Sequence, residues 1–369
     1  MDKLRFALFA HSWASDWNHG NAHFLRGLAS ELVRLGHEVR CYEERESWSR
    51  TNLIGEGTIG EHAINRFHEL FPELDVRFYD ADETFLAWAV KELAGADVVV
   101  LHEWTHPRIV RAVQGLRASL GFRLLFHDTH HRAYTTPKEI GDLNPKGFDG
   151  VLVFGEALLR IYRELFGVSR AWIFHEAADT THFLPLQAEK NTDVIWVGNW
   201  GDEERTRELE EFLMAPAAAL GGNRFAVHGV RYSMNARNHL RKAGIEYRGY
   251  LPNLDAPQTY ARSALSLHVP RRFYANGLSG IPTIRVYEAL ACGIPLVCSP
   301  WSDTEGQFRP GVDYVVAPDG ERMKEMLRSL LADENARAQI AANGLKTVRA
   351  RHTCAHRAQQ LLGICEELS

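Results

Sequence analysis

Short apolar runs alternate with amphipathic stretches along most of the chain. The runs are rich in Val, Ile and Phe, and the stretches between them repeat apolar residues at helical spacing. This alternation is typical of parallel sheets covered by helices, so it predicts an α/β fold. The predicted strands are Leu4–Ala10, Glu38–Tyr42, Val76–Tyr79, Val98–Leu101, Arg123–Phe126, Val151–Phe154, Trp172–Phe174, Asp193–Val197, Arg224–Val227, Leu265–Val269, Pro295–Cys298 and Tyr314–Val316.

The predicted strands fall into two series, and the segment between them predicts a domain boundary. Pro185 ends the first series, and a polar stretch follows up to Asn191. We expect residues 1–184 to form an N-terminal Rossmann-like domain, residues 185–350 a second one, and residues 351–369 a helix that packs back across both. Doubly wound sheets bind ligands beyond the carboxyl ends of their strands, so two such domains facing each other would form a cleft for a small molecule.

The length of the chain agrees with two domains, and its charge limits the kinds of partner it can bind. The chain has 369 residues, with 42 Lys and Arg against 47 Asp and Glu, for a net charge of −5. This balance argues against a basic phosphate-binding face, so we do not expect nucleic acid as a partner. The five cysteines include no C-x-x-C pair, and no apolar run approaches the ~18–20 residues that span a bilayer. We expect a cytoplasmic protein with at most peripheral membrane association.

One glycine-rich segment matches a dinucleotide-binding fingerprint. Gly55–Gly60 fits the pattern G-x-G-x-x-G, and Asp80 follows at about the spacing of a ribose-binding acid. The fingerprint also requires a buried strand directly before it, and Glu44–Arg50 is too polar to form one. We therefore expect a flexible loop here, rather than a nicotinamide or flavin site.

The strongest functional signal lies between Gly280 and Val297. The segment predicts a Gly/Pro turn, a short helix, a glycine stop and a buried strand. Thr283 is placed to cap the helix, whose first N–H groups and positive dipole end would bind a phosphate. Glu288 lies just over one turn further in, where its carboxylate could accept hydrogen bonds from a ribose diol.

This segment resembles the donor-nucleotide motif of the GT-B glycosyltransferases, in the group 1 set that includes the family 4 retaining enzymes and the spore-maturation-type proteins. The resemblance extends along the whole chain in the order of the family. The other segments that carry it are His19–Asn21, Leu35–Val39, Ala177–Pro185 and Tyr247–Pro252. Together they imply a GT-B fold, with two Rossmann-like domains facing across a cleft.

The resemblance also implies an activity. The protein would transfer a sugar from a nucleotide-activated donor to an acceptor glycan, lipid or small molecule, with retention of the anomeric configuration and without a metal or other cofactor. The second domain would hold the donor and the first the acceptor. The implied donor-binding residues are Gly20, Gly198, Asn199, Arg205, Gly249, Tyr250, Arg272, Thr283, Ile284, Arg285 and Glu288.

Two positions depart from the family pattern. Asn199 stands where the family has a phosphate-binding Arg, and Gly280 stands where many members have a Glu near the donor sugar. Arg271, Arg272 or Arg285 could replace the missing guanidinium. The spore-maturation-type members also tend to lack the Glu, so the second departure fits a subgroup.

The candidate catalytic residues follow two predicted strands of the first half. His127 lies where the family places a histidine that contacts the donor sugar, with Asp128 beside it. An imidazole suits this role because it can donate to a phosphate oxygen or a hydroxyl near neutral pH. Glu103 follows another strand and is a second candidate general base. Purely structural histidines, a solvated Glu103, and a metal site formed with His130 and His131 are alternatives.

Two other functions remain open. An epimerase or hydrolase on this scaffold would act on the donor without an acceptor, through His127 or Glu103. A non-catalytic protein would only bind the nucleotide sugar, which the departures at Asn199 and Gly280 would permit.

Tryptophans after predicted strands suit an acceptor glycan, since aromatic faces stack on sugar rings, although single tryptophans more often belong to the core. These are Trp13, Trp17, Trp48 and Trp104.

Overall fold

The structure is a computed structural model that describes residues 3–201 and 205–368. The chain forms two compact units. The first contains the residues up to Asp179 together with those from Cys354 onward, and the second contains Thr180–Thr353. The expected boundaries, after residues 184 and 350, lie close to these. Which unit binds the donor and which the acceptor stays a prediction.

The first unit is built on a sheet of seven strands. They are β1 (Arg5–Phe9), β2 (Glu38–Glu44), β3 (Asp75–Tyr79), β4 (Val98–His102), β5 (Arg123–Asp128), β6 (Gly150–Val153) and β7 (Ala171–Ile173). The order across the sheet is β3-β2-β1-β4-β5-β6-β7, with parallel neighbours throughout. All five residues of β4 are buried, as the continuous apolar run predicts for a central parallel strand.

Helices connect these strands. They are α1 (Ala22–Arg34), α2 (Trp48–Gly55), α3 (Thr58–Leu70), α4 (Phe85–Glu92), α5 (Pro107–Leu120), α6 (Arg132–Thr135), α7 (Pro137–Gly141) and α8 (Glu156–Glu164). The ends of α5 follow simple local rules. Pro107 occupies its first turn, the His106 side chain accepts a hydrogen bond from the Arg108 N–H, and Gly121 ends the helix in a left-handed conformation.

The second unit repeats this plan with six strands. They are β8 (Thr192–Val197), β9 (Phe225–His228), β10 (Ile245–Tyr247), β11 (Ser263–His268), β12 (Leu296–Cys298) and β13 (Val315–Val316), in the order β10-β9-β8-β11-β12-β13 with parallel neighbours. Its helices are α9 (Thr206–Leu209), α10 (Ala215–Ala219), α11 (Met234–Lys242), α12 (Ala256–Ala261), α13 (Arg272–Asn276), α14 (Ile284–Ala291), α15 (Gly320–Ala332) and α16 (Glu334–Arg351).

The last helix returns to the first unit. This helix, α17 (Cys354–Glu367), packs against α1, and the Cys354 Sγ lies 3.6 Å from the Phe24 carbonyl oxygen. The chain thus leaves the first unit at Asp179 and completes it from Cys354 onward.

The sequence prediction is wrong in two places within the fold. The glycine-rich segment at residues 55–60 is no flexible loop, since it joins α2 to α3 through the short link at Glu56 and Gly57. The second error is the omission of β10, so that Tyr247, assigned to a loop, ends a strand. Each of the twelve predicted strands corresponds to a strand of the structure, and the α/β fold with two Rossmann-like sheets is confirmed.

Candidate active site

In the first sheet, three neighbouring strands carry histidines at their carboxyl ends. His11 follows β1, His102 ends β4, and His127 is the last residue but one of β5. The winding of the sheet reverses between β1 and β4, because β2 lies on one side of β1 and β4 on the other. Ligands of open α/β sheets bind at such a reversal point, beyond the carboxyl ends of the strands.

His19, from the loop before α1, joins these three residues. We call His11, His19, His102 and His127 the imidazole cluster. The ring centroids of His11 and His19 are 4.1 Å apart, those of His19 and His102 are 5.8 Å apart, and those of His102 and His127 are 5.5 Å apart. The family resemblance assigned His127 alone among them to catalysis, so the other three histidines are additions from the structure.

Burial holds the four rings of the imidazole cluster in the neutral form. Desolvation is the largest cause in each case, and it lowers the pKa of His102 to about 3 and the pKa of the other three well below 6.5. Other groups lower these pKa values further: Arg132 acts on His11 and His102, and each of His11, His19 and His127 is also affected by a neighbouring imidazole. At neutral pH each ring therefore has one N–H donor and one acceptor nitrogen.

His127 lies at the top of the apolar core. Its ring packs edge-on against Phe24 of α1 and against Phe174, and it borders a small cavity that Leu25 and Trp13 also line. Its Nε2 is buried and makes no hydrogen bond to any described residue. This environment suits hydrogen bonding to a substrate hydroxyl better than acting as a strong base.

Glu103 is buried, so the solvated alternative is excluded for its side chain. Its Oε1 accepts a 3.4 Å hydrogen bond from the Thr129 hydroxyl, and its Oε2 lies 2.9 Å from Nδ1 of His102 without hydrogen-bond alignment. Burial raises the pKa of Glu103 to about 8, against a smaller opposite effect of Arg132. At neutral pH the carboxyl group is therefore mostly protonated, which favours donation of a hydrogen bond over the predicted role of general base.

Asp128 is held by the protein itself. The Tyr162 hydroxyl donates to its Oδ2 at 2.6 Å, and the His130 N–H donates to its Oδ1 at 2.9 Å. Burial and the neighbouring Glu103 raise the pKa of Asp128 to about 7. These bonds fit a residue that positions the turn after β5, and its catalytic role stays a prediction.

In the second sheet the corresponding strand ends also carry polar groups. Here the winding reverses between β8 and β11; Gly198 and Asn199 follow β8, and His268 ends β11. His268 thus occupies the place in its sheet that His102 occupies in the first. Its Nε2 lies 3.0 Å from the Thr283 hydroxyl, and its Nδ1 is buried without a hydrogen bond to a described residue. Burial, with Arg205 and Arg285, lowers the pKa of His268 to about 3.

Thr283 directly precedes α14, but its side chain does not cap the helix as predicted. The Thr283 hydroxyl bonds to His268 instead. The N-cap side chain therefore accepts no hydrogen bond from the first N–H groups of α14. The physical reason is that His268 ends β11 on the side where α14 begins, so its ring competes with the helix amides for the Thr283 hydroxyl. A helix start without a side-chain cap retains its capacity to bind an anion.

Glu288 lies on the first turns of α14 and is completely buried. Its Oε1 accepts a 2.9 Å hydrogen bond from the Asn253 amide, and Arg285 donates to its Oε2. The Arg285 side chain is 29% exposed. A ribose diol can therefore reach the Glu288 carboxylate only where these two donors leave lone pairs available, or where Arg285 swings away.

The loop after β8 is fixed by Arg205. This guanidinium donates to the carbonyl oxygens of Asn199 and, at 3.0 Å, of Val269, and it lies over the Trp196 ring. The Asn199 side-chain oxygen accepts from the Val230 N–H at 2.8 Å. Arg205 thereby joins the loops that follow the two central strands, and its charge lies beside His268.

The other predicted donor-binding residues are placed as follows. Arg272 makes a forked pair with Glu208, at 3.0 and 3.1 Å, so it carries its own counter-ion. Gly249 accepts a hydrogen bond from the Gly229 N–H, and Tyr250 is buried beside it. Gly20 lies in the first unit, next to His19. Ile284 is buried at the start of α14. None of these placements by itself tests the predicted role.

The structure also addresses the metal and membrane alternatives. In residues 3–201 and 205–368, no group of three or more His, Cys, Asp or Glu side chains is arranged to hold a metal ion, and this includes the histidines near Asp128. Over the same ranges no helix is both long and apolar enough to cross a bilayer. Of the four tryptophans, Trp13 and Trp17 are buried, while Trp48 and Trp104 are 54% and 39% exposed.

Comparison with known proteins agrees with this geometry. Residues 205–363 match a family model described as glycosyl transferase-like. These residues are thus similar to a glycosyl transferase domain, and the chain as a whole has the GT-B fold. The match begins at Arg205 and includes all of α14, so this guanidinium and the start of α14 both lie within the matched residues. No curated protein matches the sequence.

Solved GT-B structures align with almost the whole chain. Anabaena HepE, solved in complex with UDP and glucose, aligns with a TM-score of 0.70 and 13% identity over 99% of this chain and 100% of its own. Sucrose-phosphate synthase from Thermosynechococcus elongatus gives 0.65 and 13% over 99% of both chains. An alpha-glucosyltransferase in complex with UDP and a 13-mer DNA gives 0.70 and 12% over 99% and 100%. At these identities the likeness establishes the fold.

Proposed function

We propose that this protein transfers a glycosyl group from a UDP-sugar to an acceptor, with the donor bound in the second unit. The observation that carries the proposal is the start of α14, where Thr283 leaves the helix amides without a side-chain cap and Arg205 and Arg285 lie near His268. Positive charge and helix amides together suit a diphosphate. The glycosyl transferase-like match over residues 205–363 and the UDP complexes of the structural neighbours support this choice of donor.

Each group in this site has a definite role in the proposal. The amides at the start of α14 and the Arg205 guanidinium bind the diphosphate and stabilise the charge that grows on it as the glycosidic bond breaks. The Glu288 carboxylate accepts the ribose hydroxyls. Because Arg285 already donates to Glu288, we expect Arg285 to turn from this carboxylate to the diphosphate when the donor binds. This movement would supply the guanidinium that Asn199 does not.

Titration of the full chain with UDP tests the donor site. Glu288→Gln should weaken UDP binding about tenfold or more, since it replaces charge-assisted hydrogen bonds to the ribose by neutral ones. Glu321→Gln, on α15, is the matched control, because the side chain of Glu321 is 80% exposed. Isothermal calorimetry gives the affinities, and circular dichroism confirms that each variant folds. If the wild type fails to bind UDP, or if Glu288→Gln binds it equally well, the proposed site is wrong.

We also propose that transfer is independent of metal and retains the anomeric configuration. The metal independence is supported by the helix amides and guanidinium groups that surround the proposed diphosphate, and the retention by the resemblance to the family 4 enzymes. Activity with UDP-glucose should persist in EDTA, and NMR of the product should show the anomeric configuration of the donor. Loss of activity that Mg²⁺ restores would contradict the first part, and an inverted product the second.

The acceptor belongs, in this proposal, to the first unit. The carboxyl ends of β1, β4 and β5 carry His127, Glu103 and the rest of the imidazole cluster, and Trp104 offers a partly exposed aromatic face beside them. His127 and protonated Glu103 would orient acceptor and sugar hydroxyls. Release of glucose from UDP-glucose at an equal rate with and without any acceptor would favour a hydrolase instead.

A further inference from the structure

The outer part of the imidazole cluster contains buried polar atoms that no described residue satisfies. His19 is 8% exposed, and neither of its ring nitrogens makes a hydrogen bond within residues 3–201 and 205–368. The same is true of His11 Nδ1 and of Arg132 Nε. A buried nitrogen without a hydrogen-bond partner is unfavourable, so such a concentration indicates a place built for a ligand.

These atoms share one neighbourhood. The His11 ring lies 4.1 Å from the His19 ring and 5.7 Å from the Trp104 ring, measured between centroids. The Arg132 guanidinium lies over the same Trp104 ring, at 4.0 Å. Because Trp104 is 39% exposed, the neighbourhood reaches the surface of the unit.

The fixed charges that act on His11 and His19 are guanidinium groups. Arg132 lowers the pKa of His11 and Arg26 lowers that of His19, while the other Coulomb effects come from imidazoles that are neutral at neutral pH. Arg26 is paired at 3.5 Å with the buried Asp16, which leaves Arg132 as the more available charge. The buried carboxyl group of Glu103, 2.9 Å from the His102 ring, offers little compensation at neutral pH, because burial raises its pKa to about 8. Arg132 pairs at 3.4 Å with Glu139, whose side chain is 56% exposed. A negative charge would therefore be attracted to this place.

The protein itself fixes the backbone that leads to His19. The buried Glu43 carboxylate accepts hydrogen bonds from the N–H groups of Trp13 and Ala14, at 2.8 and 2.7 Å, and from the Ser15 hydroxyl at 2.7 Å. α1 begins at Ala22, and its N-cap residue provides no side-chain cap. The positive end of this 13-residue helix thus lies directly after His19.

We propose that His11, His19 and Arg132 bind an anionic group, a phosphate or a carboxylate, carried by the acceptor. This inference rests on the proposed function and specifies its acceptor: a sugar phosphate or an acidic sugar rather than a neutral one. The anionic oxygens would accept hydrogen bonds from His19, from His11 Nδ1 and from Arg132 Nε. Imidazole donors and a guanidinium suit such an anion, because charge-assisted hydrogen bonds are about twice as strong as neutral ones. The donor diphosphate is the other possible source of the anion.

Binding of inorganic phosphate to the full chain tests the proposal without requiring any catalytic turnover. Calorimetric titration and NMR of ¹³C/¹⁵N-labelled histidine rings should show that phosphate binds and shifts the His11 and His19 resonances. His19→Gln should weaken binding about tenfold or more, and His11→Gln should also weaken it. His62→Gln, at an exposed position on α3, is the matched control and should bind phosphate as the wild type does. Absence of binding to the wild type, or unchanged binding to a folded His19→Gln protein, would overturn the proposal.

A second titration separates the two sources of the anion. Saturating UDP should leave phosphate binding and its histidine shifts unchanged if the anion belongs to the acceptor. If UDP excludes phosphate from His19, the site belongs to the donor and the acceptor assignment is wrong. UDP binding itself is measured independently through Glu288→Gln, so failure of the donor site can be distinguished from failure of this anion site.

Acceptor kinetics provide the third measurement. Paired acceptors that differ only in the anion, such as glucose and glucose 6-phosphate or glucose and glucuronic acid, should differ in kcat/KM in favour of the charged member. His19→Gln should reduce this ratio about tenfold, mainly through KM, because the lost interaction is present in ground and transition states alike. Equal use of neutral and charged acceptors by the wild type would overturn the proposal.

Discussion

The chemistry of the first unit depends on single residues whose protonation is set by burial. Glu103 and the imidazole cluster lie at the ends of neighbouring strands, yet desolvation shifts their pKa values in opposite directions: it raises that of the acid and lowers those of the histidines. At neutral pH both kinds of group are therefore mostly uncharged. Arg132 supplies a fixed positive charge that acts on both His102 and Glu103.

Glu103 should make stability depend on pH in a recognisable way. The folded protein holds this proton up to a pH of about 8, and the unfolded chain only up to about 4.5, so between these values the folded state binds more protons and the free energy of unfolding falls as pH rises. Glu103→Gln removes this loss. Its stability relative to the wild type should therefore improve with rising pH, by up to about 1.4 kcal/mol per pH unit.

Urea denaturation at a series of pH values measures this difference. Glu61→Gln, an exposed position on α3, is the control and should run parallel to the wild type. A Glu103→Gln difference that stays constant across the range would contradict the raised pKa. The rate of glycosyl transfer in the same variant shows separately whether the Glu103 proton takes part in the reaction.

At the scale of elements, the sequence predicted those strands that a continuous run of apolar residues marks. The continuous apolar runs of β4 and β5 identified central strands, and Glu103 and His127 followed from their ends. β10 was missed because it has only three residues and lies at the sheet edge, where Glu246 is exposed and no continuous apolar run forms. His11 and His19 were missed because their meeting with His102 depends on β1 lying beside β4, which is a pairing between distant parts of the chain.

The link between α2 and α3 shows the same limit. Three glycines in six residues suggested flexibility, but they have different structural roles. Gly57 has a φ of 64° and a ψ of −131°, a backbone conformation that residues other than glycine rarely adopt. Gly60 lies within α3 at a close approach to α2, where an added Cβ would lie 1.9 Å from the Leu53 carbonyl oxygen. The glycines thus fix a tight helical corner.

Alanine substitutions at Gly57 and at Gly55 should differ in their effect on stability. Gly57→Ala should lower the free energy of unfolding by about 1–3 kcal/mol, because it forces a side chain into the disfavoured conformation. Gly55→Ala is the matched control, because Gly55 is the last residue of α2 and a Cβ added there would meet no atom within 4 Å. It should be neutral or slightly stabilising. Urea denaturation measures both, and equal effects of the two substitutions would show that the corner tolerates either conformation.

At the scale of the whole molecule, the two units repeat one arrangement. In each, the winding of the sheet reverses between two central strands, and the second of these ends in a buried histidine held neutral near a guanidinium: His102 near Arg132, and His268 near Arg205. Near each reversal point a helix begins without a side-chain cap: α1 after β1 in the first unit, and α14 after β11 and the short helix α13 in the second. Each unit thus has its own candidate anion site.

The chain closes the first unit only at its last helix, and a glycine makes this possible. Gly27 lies in the middle of α1, where an added Cβ would lie 2.6 Å from the Asp179 Cβ and 2.7 Å from the Cys354 Sγ. These two neighbours are the residues at which the chain leaves and re-enters the unit. The packing of α1 against α17 therefore has no room for a methyl group at this point.

Gly27→Ala should destabilise the first unit by about 1–3 kcal/mol through overpacking, even though alanine favours helices more than glycine does. Gly115→Ala, within α5 and with no atom near its added Cβ, is the matched control and should stabilise by about 0.5–1 kcal/mol. Hydrogen exchange should show faster exchange in α1, α17 and the strands beneath them for Gly27→Ala alone. If both variants gain stability, α17 does not pack on α1 as closely as this glycine implies, and residues from Cys354 onward contribute little to the stability of the first unit.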